Sequence, residues 1–318
     1  MKPRLLIATD VTNINGLTEK LANAFDVTYL PSCTNEDLHK VPSDIEAIFT
    51  NPNNSKIYFG EETLRNFKSI KYLVTASTGT IHIDKAYCAR SNIRVISITK
   101  SIDVLEKITS TAELAFLLTL SAIRHYDLSR KSVDELKWDY SPFIGRQMNS
   151  LTVGVLGFGR LGKMYASYCR AFGSEVLVCD PYQLEAVVAA GYTHVELAAL
   201  FGKADLVSIH IHAEEQNIGL INENLLSEVS KQFVLINTSR GEVVNEAAIL
   251  SKAHDAPGFR YFSDVITGEH LGLTNADLRQ SSLYGKQIFL TPHCGGMTSD
   301  ARVIAYHHAA DLFLESYV

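Results

Sequence analysis

Short apolar runs alternate with segments of helical periodicity along nearly the whole chain. Apolar runs suited to strands lie at residues 4–9, 27–30, 47–50, 72–76, 94–97, 151–156, 175–179, 206–211, 233–237, 259–262 and 287–290. Strands of that length separated by helical segments are typical of βαβ units around a parallel sheet. The pattern predicts an α/β protein, with helices at residues 16–24 and 163–172 among the connections.

A longer helix is predicted to begin near Thr109, between the two groups of strands. Ser110 and Glu113 have the spacing of a capping box, in which each side chain satisfies a backbone donor of the first turn. Residues 115–120 are apolar on nearly all sides, so we expect the helix to be buried. Its position between the two groups predicts a bridge from a first domain into a second.

The composition is that of a soluble globular protein. A length of 318 residues fits two domains, with 46% hydrophobic and 20% charged residues. The net charge of −6 argues against a general nucleic-acid surface, which needs a basic face, but not against a small anionic ligand. No apolar stretch approaches the roughly 20 residues of a membrane span, and the N-terminal run at 5–8 is far shorter than a signal segment.

The cysteine count points to a reducing compartment. The five cysteines are odd in number and include no CxxC pair, and they stand at positions 33, 88, 169, 179 and 294. We interpret them as reduced thiols and expect a cytoplasmic protein with neither a nucleic-acid nor a membrane partner.

A glycine-rich turn predicts a dinucleotide site. Gly157, Gly159 and Gly162 follow an apolar strand and precede a helix, and Asp180 ends the next strand, 23 residues after Gly157. That interval is close to the roughly 20 residues of a dinucleotide fold, in which bare glycines let the pyrophosphate approach the backbone and the helix N-terminus. Asp180 can accept both ribose hydroxyls and would repel a 2′-phosphate, which favours NAD over NADP. A methyltransferase or a purely structural βαβ turn is the alternative.

Three residues of the last quarter of the chain suggest a reaction. Arg240, Glu269 and His293 offer a cation, a carboxylate and an imidazole, the groups that oxidation of a hydroxy acid needs. Each taken alone has an ordinary interpretation as a surface, loop or helix-entry residue. Their placement after successive strands favours one shared site.

Around these residues the chain resembles the D-isomer-specific 2-hydroxyacid dehydrogenases. Residues 235–241 are similar to the arginine motif of that family, 263–265 with Glu269 to its aspartate–glutamate segment, and 291–293 to its histidine motif. Residues 77–84 resemble its substrate loop. Trp138 and Gly145-Arg146 resemble the approach to its nucleotide strand.

This resemblance implies the domain organisation. A Rossmann NAD-binding domain, residues 107–293, is inserted in a smaller flavodoxin-like α/β substrate-binding (catalytic) domain formed by residues 1–106 and 294–318. About one helix follows His293, and we expect it to pack on the first domain. The resemblance also implies a homodimer built on the bridging helix and the segment around Trp138.

The implied activity is NAD-dependent interconversion of a small anionic D-2-hydroxy acid and its 2-keto acid by hydride transfer, as in phosphoglycerate or glycerate dehydrogenases. Arg240 would bind the substrate carboxylate in a planar fork that lysine cannot copy. His293 would be the general base for oxidation and the acid for reduction, with Glu269 fixing its tautomer. A corepressor-like NAD(H)-sensing regulator on the same fold is the alternative, and formate or phosphite oxidation a third, less favoured option.

Further contacts are implied position by position. The cofactor-binding residues implied beside the three glycines and Asp180 are Arg160, Leu161, His210, Thr238, Asp264 and Thr111. Asp264 is alternatively a turn or helix cap. Thr78 and Gly79 are expected to supply backbone donors to the substrate.

One segment departs from the family pattern. Where the family has His followed two residues later by Pro, this chain has His210 and His212. Period-two spacing would place both imidazoles on one face of a strand. A metal pair is conceivable, but the neighbouring sequence offers no third ligand, so we expect no metal. We expect His210 near the cofactor, and His212 to change the loop or the substrate pocket.

Overall fold

The protein folds as two compact units. A computed structural model describes residues 2–51, 57–80, 82–269 and 277–317. One unit comprises Met1–Ile108 and Gly296–Val318, and the other Thr109–Gly295. The two chain crossings therefore lie after residues 108 and 295, against the predicted 106 and 293.

The elements follow the predicted alternation of strand and helix. The strands are β1 Arg4–Ala8, β2 Asp26–Tyr29, β3 Ile45–Thr50, β4 Tyr72–Thr75, β5 Arg94–Ser97, β6 Thr152–Leu156, β7 Glu175–Cys179, β8 Thr193–His194, β9 Leu206–Ile209, β10 Val234–Asn237, β11 Arg260–Ser263 and β12 Ile288–Leu290. The α-helices are α1 Leu17–Ala22, α2 Asn35–Leu38, α3 Glu61–Leu64, α4 Lys85–Arg90, α5 Ile102–Leu105, α6 Ser110–Arg124, α7 Tyr126–Asp134, α8 Arg160–Ala171, α9 Leu184–Ala189, α10 Leu197–Lys203, α11 Glu223–Ser227, α12 Glu246–Asp255, α13 Asp277–Gln280 and α14 Ser299–Ser316. Short 3-10 helices lie at Ile98–Lys100, Ser141–Phe143, Met148–Ser150, Glu215–Asn217 and Gly241–Val243.

The first unit is a five-stranded sheet in the order β2-β1-β3-β4-β5, with all neighbours parallel. This is the flavodoxin-like order. The C-terminal helix α14 packs on this sheet as expected. Its buried Ala305, Ala309 and Ala310 are small, and Tyr306 and Phe313 extend the core on either side of them.

The second unit is a seven-stranded parallel sheet in the order β12-β11-β10-β9-β6-β7-β8. Its strand order reverses between β6 and β9. That is the Rossmann arrangement with one further strand, and ligands bind at the carboxyl ends of the strands at such a reversal. Strand β8 has two residues and was not predicted, because so short a run has no detectable periodicity.

Two expectations about helix α6 are wrong. Thr109 is the N-cap residue, and its hydroxyl donates to Glu113 at 2.5 Å. Ser110 lies one residue inside the helix, and its buried hydroxyl has no hydrogen-bond partner among the described residues. The helix is also not buried all round, because Leu117 lies away from the face that carries Ala115 and Leu118 and is 59% exposed.

In the part of the chain that the structure describes, no helix combines the length and the apolar character that crossing a membrane requires.

Candidate active site

Three of the predicted motifs follow neighbouring strands of the second sheet. The arginine turn follows β10, the segment 264–269 follows β11, and the histidine loop 291–295 follows β12. These strands are adjacent and parallel, so their carboxyl ends meet at one edge of the sheet. The topology therefore brings the three motifs together.

A buried amide fixes the arginine turn. Asn237 is fully buried, and its Oδ1 accepts hydrogen bonds from the backbone (3.0 Å) and the hydroxyl (2.8 Å) of Ser239. Its Nδ2 donates to the carbonyl of Arg240 at 3.0 Å. Sequence reasoning missed Asn237, although a polar residue that closes an apolar strand was the signal available.

Asp264 fixes the histidine loop. Its Oδ1 accepts from Thr291 Oγ1 at 2.5 Å and from the Cys294 amide at 2.9 Å, and its Oδ2 accepts from the Gly295 amide at 2.8 Å. The residue is 2% exposed. These bonds match the turn-cap interpretation of Asp264, since both carboxylate oxygens already bind the loop that carries His293.

The backbone of His293 is held in an unusual conformation. Its amide donates to the carbonyls of Asp264 (2.9 Å) and Thr291 (3.0 Å). Its φ is +51°, in the left-handed region that residues with a side chain rarely adopt. Such conformations persist only where the surroundings enforce them, and they concentrate at functional sites.

His293 and Glu269 form a hydrogen-bonded pair. Nδ1 of His293 lies 2.8 Å and 3.0 Å from the two carboxylate oxygens of Glu269. An ionised carboxylate only accepts, so Nδ1 carries the hydrogen and Nε2 is the ring nitrogen that gains or loses a proton. The side chains are 30% and 26% exposed, so the pair is sheltered but accessible.

The arginine turn packs directly against the segment that leads to Glu269. A Cβ on Gly241 would lie 2.0 Å from the carbonyl carbon of Ile266, so only glycine allows this approach. Arg240 is half-buried and donates from Nη1 to the Ser239 carbonyl at 2.6 Å. Within the described ranges no carboxylate forms an ion pair with Arg240, which leaves its charge available to an anion.

The glycine turn has the shape of a phosphate cradle. Gly157 has φ +95°, and a Cβ there would lie 2.7 Å from the His210 carbonyl oxygen. A Cβ on Gly162 would lie 2.0 Å from the Gly157 carbonyl oxygen, whereas one on Gly159 would meet no atom within 4 Å. The N-cap residue of α8 is Gly159, which has no side chain that could cap the helix, and Arg160 and Leu161 after it are half-buried. The open space beside Gly159 at the N-terminus of this helix fits a pyrophosphate.

Asp180 lies at the end of β7 beside this turn. Its Oδ2 accepts from the Phe158 amide at 2.7 Å and its Oδ1 from the Tyr182 amide at 2.9 Å. A carboxylate has about four acceptor positions, so one on each oxygen remains for a ribose hydroxyl.

The other predicted contacts lie in both units. Thr238 is 6% exposed, and its Oγ1 is a buried atom without a partner in the described ranges, as expected where a ligand completes a site. Thr111 borders Gly295, whose added Cβ would lie 3.1 Å from the Thr111 methyl group. The predicted substrate contacts Thr78 and Gly79 lie in the first unit. Their carbonyls accept hydrogen bonds from the hydroxyls of Thr99 (2.9 Å) and Ser77 (2.7 Å), respectively. Ile81 of the same loop lies outside the described residues.

The expectation that His210 and His212 share a strand face is wrong. Strand β9 ends at Ile209, so both histidines lie in the loop that follows. The His210 ring packs 5.0 Å from the Tyr165 ring and burial lowers its pKa to about 3, whereas His212 is exposed. No group of three or more metal-ligating side chains occurs among residues 2–51, 57–80, 82–269 and 277–317.

Comparisons with known proteins agree with this geometry. The family model for the D-isomer specific 2-hydroxyacid dehydrogenase NAD-binding domain matches residues 116–295, more than half of the chain. This match confirms NAD as the cofactor and contradicts the methyltransferase alternative for the glycine turn.

Curated relatives belong to the same group of enzymes. A D-3-phosphoglycerate dehydrogenase of Synechocystis sp. is 28% identical over 95% of this chain and 54% of its own length. A hydroxypyruvate reductase of Thermotoga maritima is 27% identical over 74% of each protein. The chain thus spans about half the length of the phosphoglycerate dehydrogenases it matches.

Solved structures confirm the fold. A phosphoglycerate oxidoreductase from Vibrio cholerae O395 has a TM-score of 0.82 at 22% identity over 99% of both chains. A D-lactate dehydrogenase from Aquifex aeolicus, complexed with NAD and lactic acid, has a TM-score of 0.79 at 23% identity over 98% of this chain and 96% of its own. The chain therefore belongs to the D-isomer specific 2-hydroxyacid dehydrogenase family, with the NAD-binding domain of that family at residues 116–295.

Proposed function

We propose that the protein is an NAD-dependent oxidoreductase that interconverts a small D-2-hydroxy acid and its 2-keto acid. The observation that carries the proposal is the hydrogen bond between His293 Nδ1 and Glu269 Oε1, which are 2.8 Å apart. The loop that carries His293 is hydrogen-bonded to Asp264, at the end of the strand beside the arginine turn. An acid–base pair and an arginine without an ion-pair partner in the described ranges stand at the same sheet edge as a dinucleotide cradle.

Arg240 binds the substrate. Its guanidinium is always charged and offers two parallel N–H donors, which match a carboxylate in a bidentate pair. This pairing neutralises the acid and places its C2 oxygen next to the arginine turn. Backbone amides of Thr78 and Gly79 are the donors proposed for the remainder of the substrate.

His293 moves the proton. Nε2 takes the hydrogen of the C2 hydroxyl during oxidation and returns it to the carbonyl oxygen during reduction. Glu269 holds the Nδ1 hydrogen, keeps the ring in this orientation and stabilises the imidazolium. Bound NAD supplies the hydride acceptor, and NADH the donor.

The cofactor contacts follow from the cradle. Gly157, Gly159 and Gly162 admit the pyrophosphate, and the first amides of α8, at Arg160 and Leu161, bind it. Asp180 accepts the ribose hydroxyls, which favours NAD. Hydroxyls of Thr238 and Thr111 and the His210 ring are the remaining proposed contacts, while Asp264 acts through the histidine loop.

The substrate class is a small anionic hydroxy or keto acid. Arg240 can bind the carboxylate of such an acid. Relatives named for 3-phosphoglycerate and hydroxypyruvate support a small acid as the substrate. A cytoplasmic location is proposed as well, because all five cysteines are free.

NADH oxidation against a panel of 2-keto acids tests the proposal. Arg240→Lys keeps the charge but loses the fork, so we expect kcat/KM to fall by roughly 100-fold or more while the Kd for NADH stays within about twofold. Arg65→Lys, in an exposed ion pair with Glu61, is the matched control and should leave both constants unchanged. Wild-type protein that binds NADH but reduces no acid of the panel would contradict the proposal and favour a regulator.

A further inference from the structure

Helix α12 begins with an acidic side chain whose carboxylate binds outside the helix. Asn245 is the N-cap residue, and its Oδ1 accepts a hydrogen bond from the Ala248 amide at 3.2 Å. Glu246, the next residue, is half-buried. Its Oε1 accepts from the Thr267 amide, 21 residues away in the chain, at 2.7 Å. This bond therefore connects α12 to the segment that leads to Glu269.

Only a glycine separates the Thr267 amide from Glu269. Gly268 has a φ of +66°, in the left-handed region that glycine adopts without steric cost. Because glycine has no side chain to restrict its backbone, it does not by itself fix the direction of the chain that follows. The hydrogen bond between Thr267 and Glu246 therefore restricts where Glu269 can lie.

The same segment packs against the residues that follow Arg240. A Cβ on Gly241 would lie 2.0 Å from the carbonyl carbon of Ile266 and 2.2 Å from the amide nitrogen of Thr267. The stretch from Gly241 to Glu246 thus contacts the Ile266–Thr267 backbone at two points, by close packing and by a hydrogen bond. These contacts join the arginine turn to the acid of the His293–Glu269 pair.

The carboxylate of Glu246 is used as an acceptor in a place that disfavours its charge. Burial raises the pKa of the Glu246 carboxyl, the hydrogen bond from the Thr267 amide opposes the rise, and the nearby Asp277 and Glu242 carboxylates add to it. Glutamine has the same acceptor oxygen without the charge. This substitution therefore separates the effect of the hydrogen bond from the effect of the charge.

We propose that Glu246 is a positioning residue that holds Glu269 against His293 by accepting a hydrogen bond from the Thr267 amide. The proposal rests on the proposed function, because it assigns Glu246 to the reaction only through the proton that His293 transfers. Glu246 contacts neither substrate nor cofactor in this role. It acts through the carboxylate of Glu269, which binds Nδ1 of His293.

NADH oxidation, with the 2-keto acid that the wild type reduces fastest, measures the effect on the reaction. We expect Glu246→Ala to lower kcat by about 10- to 100-fold and to leave the Kd for NADH within about twofold, since a small displacement of a reacting group is costly. Glu246→Gln should keep kcat within about threefold, because its amide oxygen accepts the same hydrogen bond. Glu223→Ala is the matched control and should leave kcat unchanged, since Glu223 also follows an asparagine N-cap, at the start of α11, but is exposed.

A double-mutant cycle distinguishes positioning from a general loss of stability. In a Glu269→Gln background, Glu246→Ala should lower kcat by less than about twofold, because the interaction that Glu246 supports is already weakened there. Equal losses of kcat in the two backgrounds would overturn the proposal. A loss in Glu246→Gln as large as that in Glu246→Ala would overturn it as well. Glu246→Asp, whose side chain is one carbon shorter, replaces Glu246→Ala if that variant does not fold.

Nitrogen NMR of ¹⁵N-histidine-labelled protein tests the geometry without turnover, with His293→Gln identifying the signal. We expect the wild type and Glu246→Gln to show His293 protonated at Nδ1 at alkaline pH. Glu246→Ala should show a mixture of both tautomers, because Glu269 no longer holds the Nδ1 hydrogen.

The outcomes separate the two proposals. A wild-type tautomer together with a wild-type kcat in Glu246→Ala overturns the role of Glu246 and leaves the proposed function intact. Wild-type protein that reduces no 2-keto acid overturns the proposed function, while the tautomer of His293 in Glu246→Ala still decides whether Glu246 positions Glu269.

Discussion

A single buried histidine makes the first unit sensitive to acid. His82 is 7% exposed, lies edge-on to Phe59, and has no hydrogen-bond partner for either ring nitrogen in the described ranges. Burial lowers its pKa to about 4 from an ordinary 6.5. The unfolded chain therefore binds a proton that the folded chain does not between these pH values. Stability is full above pH 6.5 and declines as the pH falls toward 4.

We expect His82→Leu to remove this decline. At pH 5 the wild type has lost about 2 kcal/mol of unfolding free energy through His82, compared with pH 8, and the variant loses none of it. Urea unfolding at both pH values measures the difference. His254→Leu, at a side chain that is 84% exposed, is the control and should keep the wild-type dependence. Equal losses in the wild type and His82→Leu would contradict the prediction.

Single residues also hold the arginine turn and the histidine loop in place. Asn237 and Asp264 make their hydrogen bonds to backbone groups of the arginine turn and the histidine loop, and both are at least 98% buried. Bonds to a buried carboxylate are stronger than those between neutral groups. The positions of Arg240 and His293 therefore depend on two side chains that have no direct role in moving a proton or binding an acid.

At the scale of elements, the junction of β6 and α8 shapes the proposed cofactor site. The first turn of α8 approaches the end of the strand so closely that Gly162 faces the Gly157 carbonyl. A rigid backbone atom cannot move aside as a flexible side chain can. The spacing between strand and helix, and hence the cradle, therefore depends on the absence of a side chain at this position.

Gly162→Ala is expected to abolish this fit. Its Cβ would meet the Gly157 oxygen at 2.0 Å, so we expect a loss of about 1–3 kcal/mol in unfolding free energy and a Kd for NADH at least about 10-fold higher. Gly202→Ala, in α10 with no atom within 4 Å, is the control. This control variant should gain about 0.5–1 kcal/mol in unfolding free energy and leave the Kd for NADH unchanged. Thermal denaturation measures the change in stability, and NADH titration measures the change in Kd. A wild-type Kd for Gly162→Ala would contradict the proposal that the glycine turn binds the pyrophosphate.

At the scale of the whole molecule, a segment of the second unit exposes large apolar side chains. Leu136, Trp138, Tyr140 and Ile144 are 95%, 93%, 81% and 75% exposed. Exposed apolar residues in such concentration mark an interaction surface. Together with the family resemblance, this exposure supports the proposed homodimer.

Sedimentation velocity at micromolar concentration tests the assembly. We expect a wild-type dimer, and a monomer for the double variant Trp138→Asp/Ile144→Asp, because two buried carboxylates without partners would oppose association. The matched control is Val188→Asp/Ile218→Asp, at apolar positions that are 60% and 55% exposed elsewhere in the unit. A monomeric wild type would argue against this surface. So would a Trp138→Asp/Ile144→Asp variant that remains a dimer while the control variant becomes a monomer.

The sequence by itself determined the strands of both sheets to within about two residues at each end, except β8, because apolar runs of strand length are local signals. The sequence also identified the glycine turn with Asp180, and Arg240, Glu269 and His293, as candidate site residues. It could do so because the chemical groups and their order along the chain follow directly from the residue types. The family assignment followed from these motifs and is confirmed.

Only the tertiary structure decided how those groups are held. Three features depend on hydrogen bonds that local patterns do not encode. They are the capping of α6 by Thr109 instead of Ser110, the end of β9 before His210, and the bonds that Asn237 and Asp264 make to the turns beside them. The pairing of His293 with Glu269 has the same origin. Such contacts depend on which strands become neighbours, and local patterns of hydrophobicity do not encode that choice.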